Sequence, residues 1–127
     1  MASKRPMEAT VFLVEDDASV RRSLTLLIEL SKWRVEAFAS GPEFLAAYDP
    51  SRRGCLVLDV NLPGMSGVEV HQRLVRQGGR MPTIFLTGHA PPALSDEARA
   101  SGVVAVFEKP CPPESLLEAI GQALTAV

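Results

Sequence analysis

Short apolar runs alternate along this chain with longer stretches in which apolar residues recur every three or four positions. The short runs are Thr10–Val14, Arg34–Phe38, Cys55–Leu58, Thr83–Leu86 and Val103–Phe107, each of strand length. After the first, Asp17 or Ser19 can cap a helix whose Val20, Leu24, Leu27 and Ile28 form one apolar stripe. After the second, Ser40-Gly41-Pro42-Glu43 has the capping-box pattern, in which the serine and glutamate side chains satisfy free amides of a short helix. That helix carries Phe44, Leu45 and Tyr48 and stops at Asp49-Pro50. The turn-rich stretch Asn61–Gly67 runs into a helix from about Ser66 to Gln77, which Gly78-Gly79 terminates. Pro91-Pro92 precede a weak helix ending near Gly102; Leu94 is its only large apolar residue, so its packing is expected to be marginal and its position easily shifted. Pro112-Pro113-Glu114 open a last helix with Leu117, Ile120 and Leu124 expected inward.

Strict alternation of strand and helix over 127 residues predicts an α/β domain. The expected architecture is a single doubly wound five-stranded parallel sheet, order 2-1-3-4-5, with right-handed crossovers and helices on both faces, a three-layer sandwich. Cys55–Leu58 is apolar at every position, as a central strand covered on both faces must be. Residues 1–9 are expected to be a flexible N-terminal segment and residues 10–127 the domain.

Composition narrows the function classes. Hydrophobic residues make up 46% and charged residues 22%, which suits a compact domain, with no repeat or low-complexity segment. The net charge of -2 and the scattered Lys and Arg provide no basic stripe, so direct nucleic-acid binding by this chain is not expected. No apolar stretch approaches the ~20 residues of a membrane span, and MASKRPMEAT lacks the apolar segment of a signal peptide; a cytoplasmic location is expected. Cys55 and Cys111 have no paired spacing and are read as reduced and structural.

The informative residues stand where the apolar runs end. Glu15-Asp16-Asp17 follow the first, Asp59 the third, Thr87 the fourth, and Lys109 comes just after the fifth. In an open parallel sheet ligands bind beyond the carboxyl ends of the strands, so these positions converge. A strand-end carboxylate such as Asp59 can attack phosphorus, but its charge repels a phosphoryl group unless a cation lies between them. Mg²⁺, or another divalent cation such as Mn²⁺, suits a site built from carboxylates, waters and phosphate oxygens. Glu15 and Asp16 can supply carboxylates, Lys109 a point charge for a second phosphoryl oxygen, and the Thr87 hydroxyl a hydrogen bond to a third. Gly88 leaves the site open above.

From about residue 10 to 125 these residues resemble the response-regulator receiver domains of two-component phosphorelays, which have the flavodoxin-like 2-1-3-4-5 fold. The resemblance implies that Asp59 is the phosphoacceptor. It also implies that Asp16 is the direct metal ligand, that Glu15 acts through water and that the Asn61 carbonyl completes the metal shell. Thr87 and Lys109 match the switch hydroxyl and the phosphate-binding lysine, and Lys109-Pro110 matches a dipeptide whose peptide bond is cis in the family. The implied donor is a histidine kinase or phosphotransfer protein, and the implied output a changed interaction surface, including a phosphorylation-dependent homodimer. Dephosphorylation and phosphotransfer would be self-catalysed, so no separate enzyme activity is expected. Three residues follow Leu124, which suits a stand-alone regulator or the excised receiver of a longer transcriptional regulator.

Two positions depart from the family pattern: Glu15 replaces the more frequent aspartate, and Val106 stands where many members carry an aromatic residue that moves on activation. Phe107 should face the opposite side of its strand. His89 is read as an exposed loop residue, His71 as a solvated helix residue, and Trp33 as packing at a sheet edge. A hydrolase of the haloacid-dehalogenase type would need an acid where Asn61 stands. A flavin phosphate would be repelled by Glu15-Asp16-Asp17. A phosphate-free scaffold that kept these residues is separable by a small phosphodonor.

Overall fold

The apolar runs become β1 (Thr10–Val14), β2 (Arg34–Phe38), β3 (Gly54–Asp59), β4 (Thr83–Thr87) and β5 (Val103–Glu108). The structure, a computed structural model, describes residues 9–88 and 99–125. Residues 1–8 of the expected N-terminal segment, His89, and the Pro91-Pro92 and Leu94 stretch of the weak helix lie outside them. The strands form one parallel sheet in the expected order β2-β1-β3-β4-β5. β3 is buried along its whole length, whereas β2 and β5, at the edges, are partly exposed.

Helices α1 (Ala18–Leu30) and α4 (Pro113–Thr125) cover one face, where Val11, Leu13, Cys55, Val57, Ile84 and Leu86 meet Ile28, Leu116 and Ile120. On the opposite face α2 (Gly41–Ala47) and α3 (Gly67–Arg76) place Phe44, Val70 and Leu74 against Phe12, Leu56, Leu58 and Phe85. The strands thus send side chains to two separate apolar layers, alternating along β1, β3 and β4.

The helix starts follow the polar signals in the sequence. Asp17, and not Ser19, caps α1: its carboxylate accepts from the amides of Ser19 and Val20 at 2.9 and 3.0 Å. Ser40 accepts from the Glu43 amide at 3.3 Å, but among the described residues Glu43 does not return a bond, so only the serine half of the expected capping box forms. Ser66 caps α3 through the Glu69 amide at 3.2 Å.

Two sequence readings need correction. His71 is not solvated: it is 6% exposed, and its Nε2 donates to the Ser101 carbonyl at 3.1 Å while its ring meets Phe85 edge-on. The reason is helical phase, since Gly67, Val70, His71 and Leu74 share the buried face of α3. In α4 the buried face is Leu116, Ile120 and Ala123, with Leu124 partly buried against it; Leu117 is turned aside. Trp33 heads the edge strand and packs there as expected, partly buried, with Cζ2 3.6 Å from where a Cβ on Gly121 of α4 would stand.

Register aligns the carboxyl ends. Val14 pairs with both Phe38 and Leu58, Asp59 with Leu86, and Thr87 with Glu108. The residues at or just beyond those ends therefore open onto one crevice.

Candidate functional site

Glu15 and Asp16, just beyond β1, differ in burial. Glu15 is 1% exposed; its amide donates to the Phe38 carbonyl at 3.0 Å, and its Oε2 accepts from the Asp17 amide at 3.1 Å. Asp16 is exposed at the mouth. The Arg21 guanidinium of α1 holds the Glu15 carbonyl at 2.9 Å, which fixes this acidic turn against the helix.

Asp59, the last residue of β3, is 3% exposed. Its Oδ1 accepts from the Asn61 amide at 2.9 Å and its Oδ2 from Lys109 Nζ at 3.2 Å. Behind it α3 begins at Gly67, where any Cβ would collide with the Asp59 carbonyl oxygen and come within 2.8 Å of Val60 Cα. Glycine is required there because the helix end is pressed against the strand end that carries the carboxylate.

Lys109 projects from just beyond β5, with the Lys109-Pro110 bond cis as the resemblance implies. Its Nζ also reaches Glu15 Oε1 at 3.0 Å, so one ammonium bridges two buried carboxylates. Burial alone would lower the lysine's pKa, but the bonds and charges of Glu15 and Asp59 outweigh it and hold Lys109 above its ordinary value. Burial pushes Glu15 up, against the pull of the Asp17 amide and Lys109.

Carboxylate oxygens of Glu15, Asp16 and Asp59 lie within 4.8 Å of one another. Three carboxylates facing one ammonium leave an excess of negative charge in a partly desolvated space, which suits a hard divalent cation with oxygen ligands. The Asn61 carbonyl accepts no hydrogen bond among the described residues and stands at the same mouth.

Thr87 ends β4, 7% exposed, and its carbonyl accepts from the Lys109 amide at 2.7 Å. A link that the sequence reading missed joins the next residue to the β3 side: the Asn61 side-chain oxygen accepts from the Gly88 amide at 3.1 Å. Nothing local to Asn61 signals that partner, which lies on another strand end. Val106 packs toward the α2/α3 layer and Phe107 toward the α1/α4 layer, opposite sides as expected. Both cysteines are free, and burial raises the Cys55 thiol to about 12, so it stays inert.

Glu15, Asp16, Asp59 and Lys109 thus lie together at the carboxyl ends of the strands, with Thr87 closing the neighbouring β4. The response regulator receiver domain profile matches residues 11–121. The chain belongs to the response regulator receiver family. It is 42% identical over 113 residues to nodulation protein W of Bradyrhizobium diazoefficiens, an alignment covering 89% of this chain and 50% of that protein. Response regulator protein TodT of Pseudomonas putida is 37% identical, with 91% and 51% covered. Among solved structures, the FixJ-N crystal structure superposes with a TM-score of 0.83 at 34% identity, covering 94% of this chain and 96% of that one. This receiver spans about half the length of the curated relatives it matches.

Proposed function

We propose that this receiver accepts a phosphoryl group on Asp59 from a histidine kinase or phosphotransfer protein and changes its interaction surface in response. The observation that carries the reading is the buried Asp59 carboxylate with Lys109 Nζ 3.2 Å from one oxygen, beside the acids Glu15 and Asp16. An Asp59 oxygen attacks phosphorus, the phosphorus–nitrogen bond of the donor's phosphohistidine breaks, and the electron pair of that bond leaves with the imidazole. The product is an acyl phosphate on Asp59.

Asp16 and Asp59, with the Asn61 carbonyl and Glu15 through water, would hold Mg²⁺ or Mn²⁺. When bound, the ion supplies charge neutralisation between the carboxylate and the incoming phosphoryl oxygens. Lys109 neutralises a further oxygen from the opposite side. Thr87 donates its hydroxyl to the third, drawing the end of β4 toward Asp59. Asn61 stands where a hydrolase would need a general acid, which favours storage of the phosphoryl group over turnover.

The chain's coverage of about half of its transcriptional and response-regulator relatives supports the reading that it works as the receiver part of a longer regulator. The altered surface would then serve a phosphorylation-dependent homodimer.

The test is labelling by acetyl phosphate with Mg²⁺. Wild type takes up one phosphoryl group per chain, and Asp59→Asn, nearly isosteric but a poor nucleophile, takes up none while keeping its thermal transition. Wild-type labelling in Asp59→Asn would place the acceptor elsewhere.

A further inference from the structure

At the opposite end of the sheet, below the amino ends of β3 and β4, the α2–β3 and α3–β4 connections form a half-open cavity of about 210 Å³. Tyr48, Arg52, Arg53 and Arg80 line it together with Met81 and Pro82, and among the described residues no Asp or Glu contributes to its walls. On a chain of net charge -2, three arginines around one cavity with no acid among its described lining residues are a local reversal of sign.

The arginines are not equivalent. Arg52 is fixed: its guanidinium makes a two-bond pair with Glu36 at 3.0 and 2.6 Å and lies 4.8 Å over the Phe12 ring. Its charge is answered. Arg53 and Arg80 have no carboxylate within ion-pair distance among the described residues, although Arg52 and Arg73 of the same chain do. The half-buried Tyr48 hydroxyl makes no hydrogen bond among the described residues. It is packed so close to Gly79 that a Cβ there would lie 2.6 Å from it. Asp49, next to Tyr48 in the chain, has its carboxylate turned onto the Ser51 amide and hydroxyl, both at 2.9 Å.

Arg53 and Arg80, both exposed, and Tyr48 thus bring to a polar cavity donor groups that have no carboxylate or hydrogen-bond partner among the described residues. We propose that this cavity is a second anion site, separate from the phosphoacceptor, that binds a small phosphate dianion, either inorganic phosphate or the phosphate of a monoester. Guanidinium forks match phosphate oxygens in pairs, and the Tyr48 hydroxyl adds a neutral donor from the side. The occupant would tie the α2–β3 connection to the α3–β4 connection. The inference does not depend on the role given to Asp59.

Titration of the ¹⁵N-labelled protein with inorganic phosphate at constant ionic strength tests it, with phenyl phosphate in a parallel series. Saturable shifts centred on Gly54, Arg80 and Met81 are expected. Arg53→Ala/Arg80→Ala should lose about 10-fold or more in affinity while labelling at Asp59 stays at the wild-type level. Asp49→Asn, which removes the opposing charge but keeps an oxygen for Ser51, should tighten binding about twofold. Tighter binding of phenyl phosphate than of inorganic phosphate assigns the site to monoesters, and the reverse order assigns it to the free ion. Shifts that grow linearly without saturation, that centre on Asn61 and Lys109, or that persist with unchanged affinity in the double variant overturn the site.

Discussion

Glu15 and Asp16 are sequence neighbours with opposite surroundings, one sealed against Lys109 and the Asp17 amide, the other exposed at the mouth of the crevice. On the proposed reading Asp16 touches the metal and Glu15 acts through water, so Asp16→Ala should weaken Mg²⁺ binding more than Glu15→Gln does. Calorimetric titration checks the order; equal losses would contradict it. His71 provides a second residue-scale expectation. Burial holds its imidazole below the ordinary histidine pKa, against the pull of the Ser101 carbonyl, so the folded state prefers the neutral ring. That contribution is complete above about pH 6.5, the unfolded value, and is lost as pH falls through the lower folded value. His71→Gln should therefore lose less stability than wild type between pH 7.5 and 5.5, read in urea unfolding. The same loss in both proteins would mean that the ring is not what titrates. Site residues were legible at this scale because each is a polar residue closing an apolar run. His71 was legible too, since positions 67, 70, 71 and 74 are helically spaced, but a titratable residue on an apolar stripe invites a solvated reading. The bond from the Gly88 amide to Asn61 was not legible, because it joins two strand ends by register alone.

At the scale of elements, α3 is the piece that fixes Asp59 from behind. Gly67→Ala places a methyl group against the Asp59 carbonyl and Val60 Cα, both backbone, which cannot yield as a side chain would. The expected cost is about 1–3 kcal/mol, and labelling at Asp59 should fall with it as the strand end is displaced. Ser66→Ala, one residue earlier, removes only the cap, costing about 1 kcal/mol, and should leave labelling intact. Thermal melts together with labelling rates separate the two; equal labelling in both variants would remove α3 from the positioning of Asp59. Strands and helix starts were readable from period and caps. The details that escaped lie where neighbours decide. Pairing of Thr83 with Val103 but Ile84 with Ala105 skips Val104, a bulge that puts Val103 and Val106 in the same apolar layer although strict alternation would separate them. In α4, residues 116, 120 and 123 and residues 117, 120 and 124 are both helically spaced, and packing on the sheet selected the first set.

For the whole molecule, the parallel order and aligned carboxyl ends make one crevice out of residues spread from Glu15 to Lys109. Strand count and strict alternation were enough to predict that topology, because crossover handedness and buried faces leave few alternatives. The proposed switch is a property of this scale: charge added at Asp59 must draw in the end of β4, and the Asn61–Gly88 bond lies across that path. The most direct measurement is the set of amide chemical shifts with and without beryllofluoride in the presence of Mg²⁺. The account predicts perturbations at Asp59–Asn61, at Thr87 and Gly88, over residues 89–102, and on through Lys109, all abolished by Asp59→Asn. Shifts confined to a few residues around Asp16 and Asp59, or shifts that survive in Asp59→Asn, would contradict it.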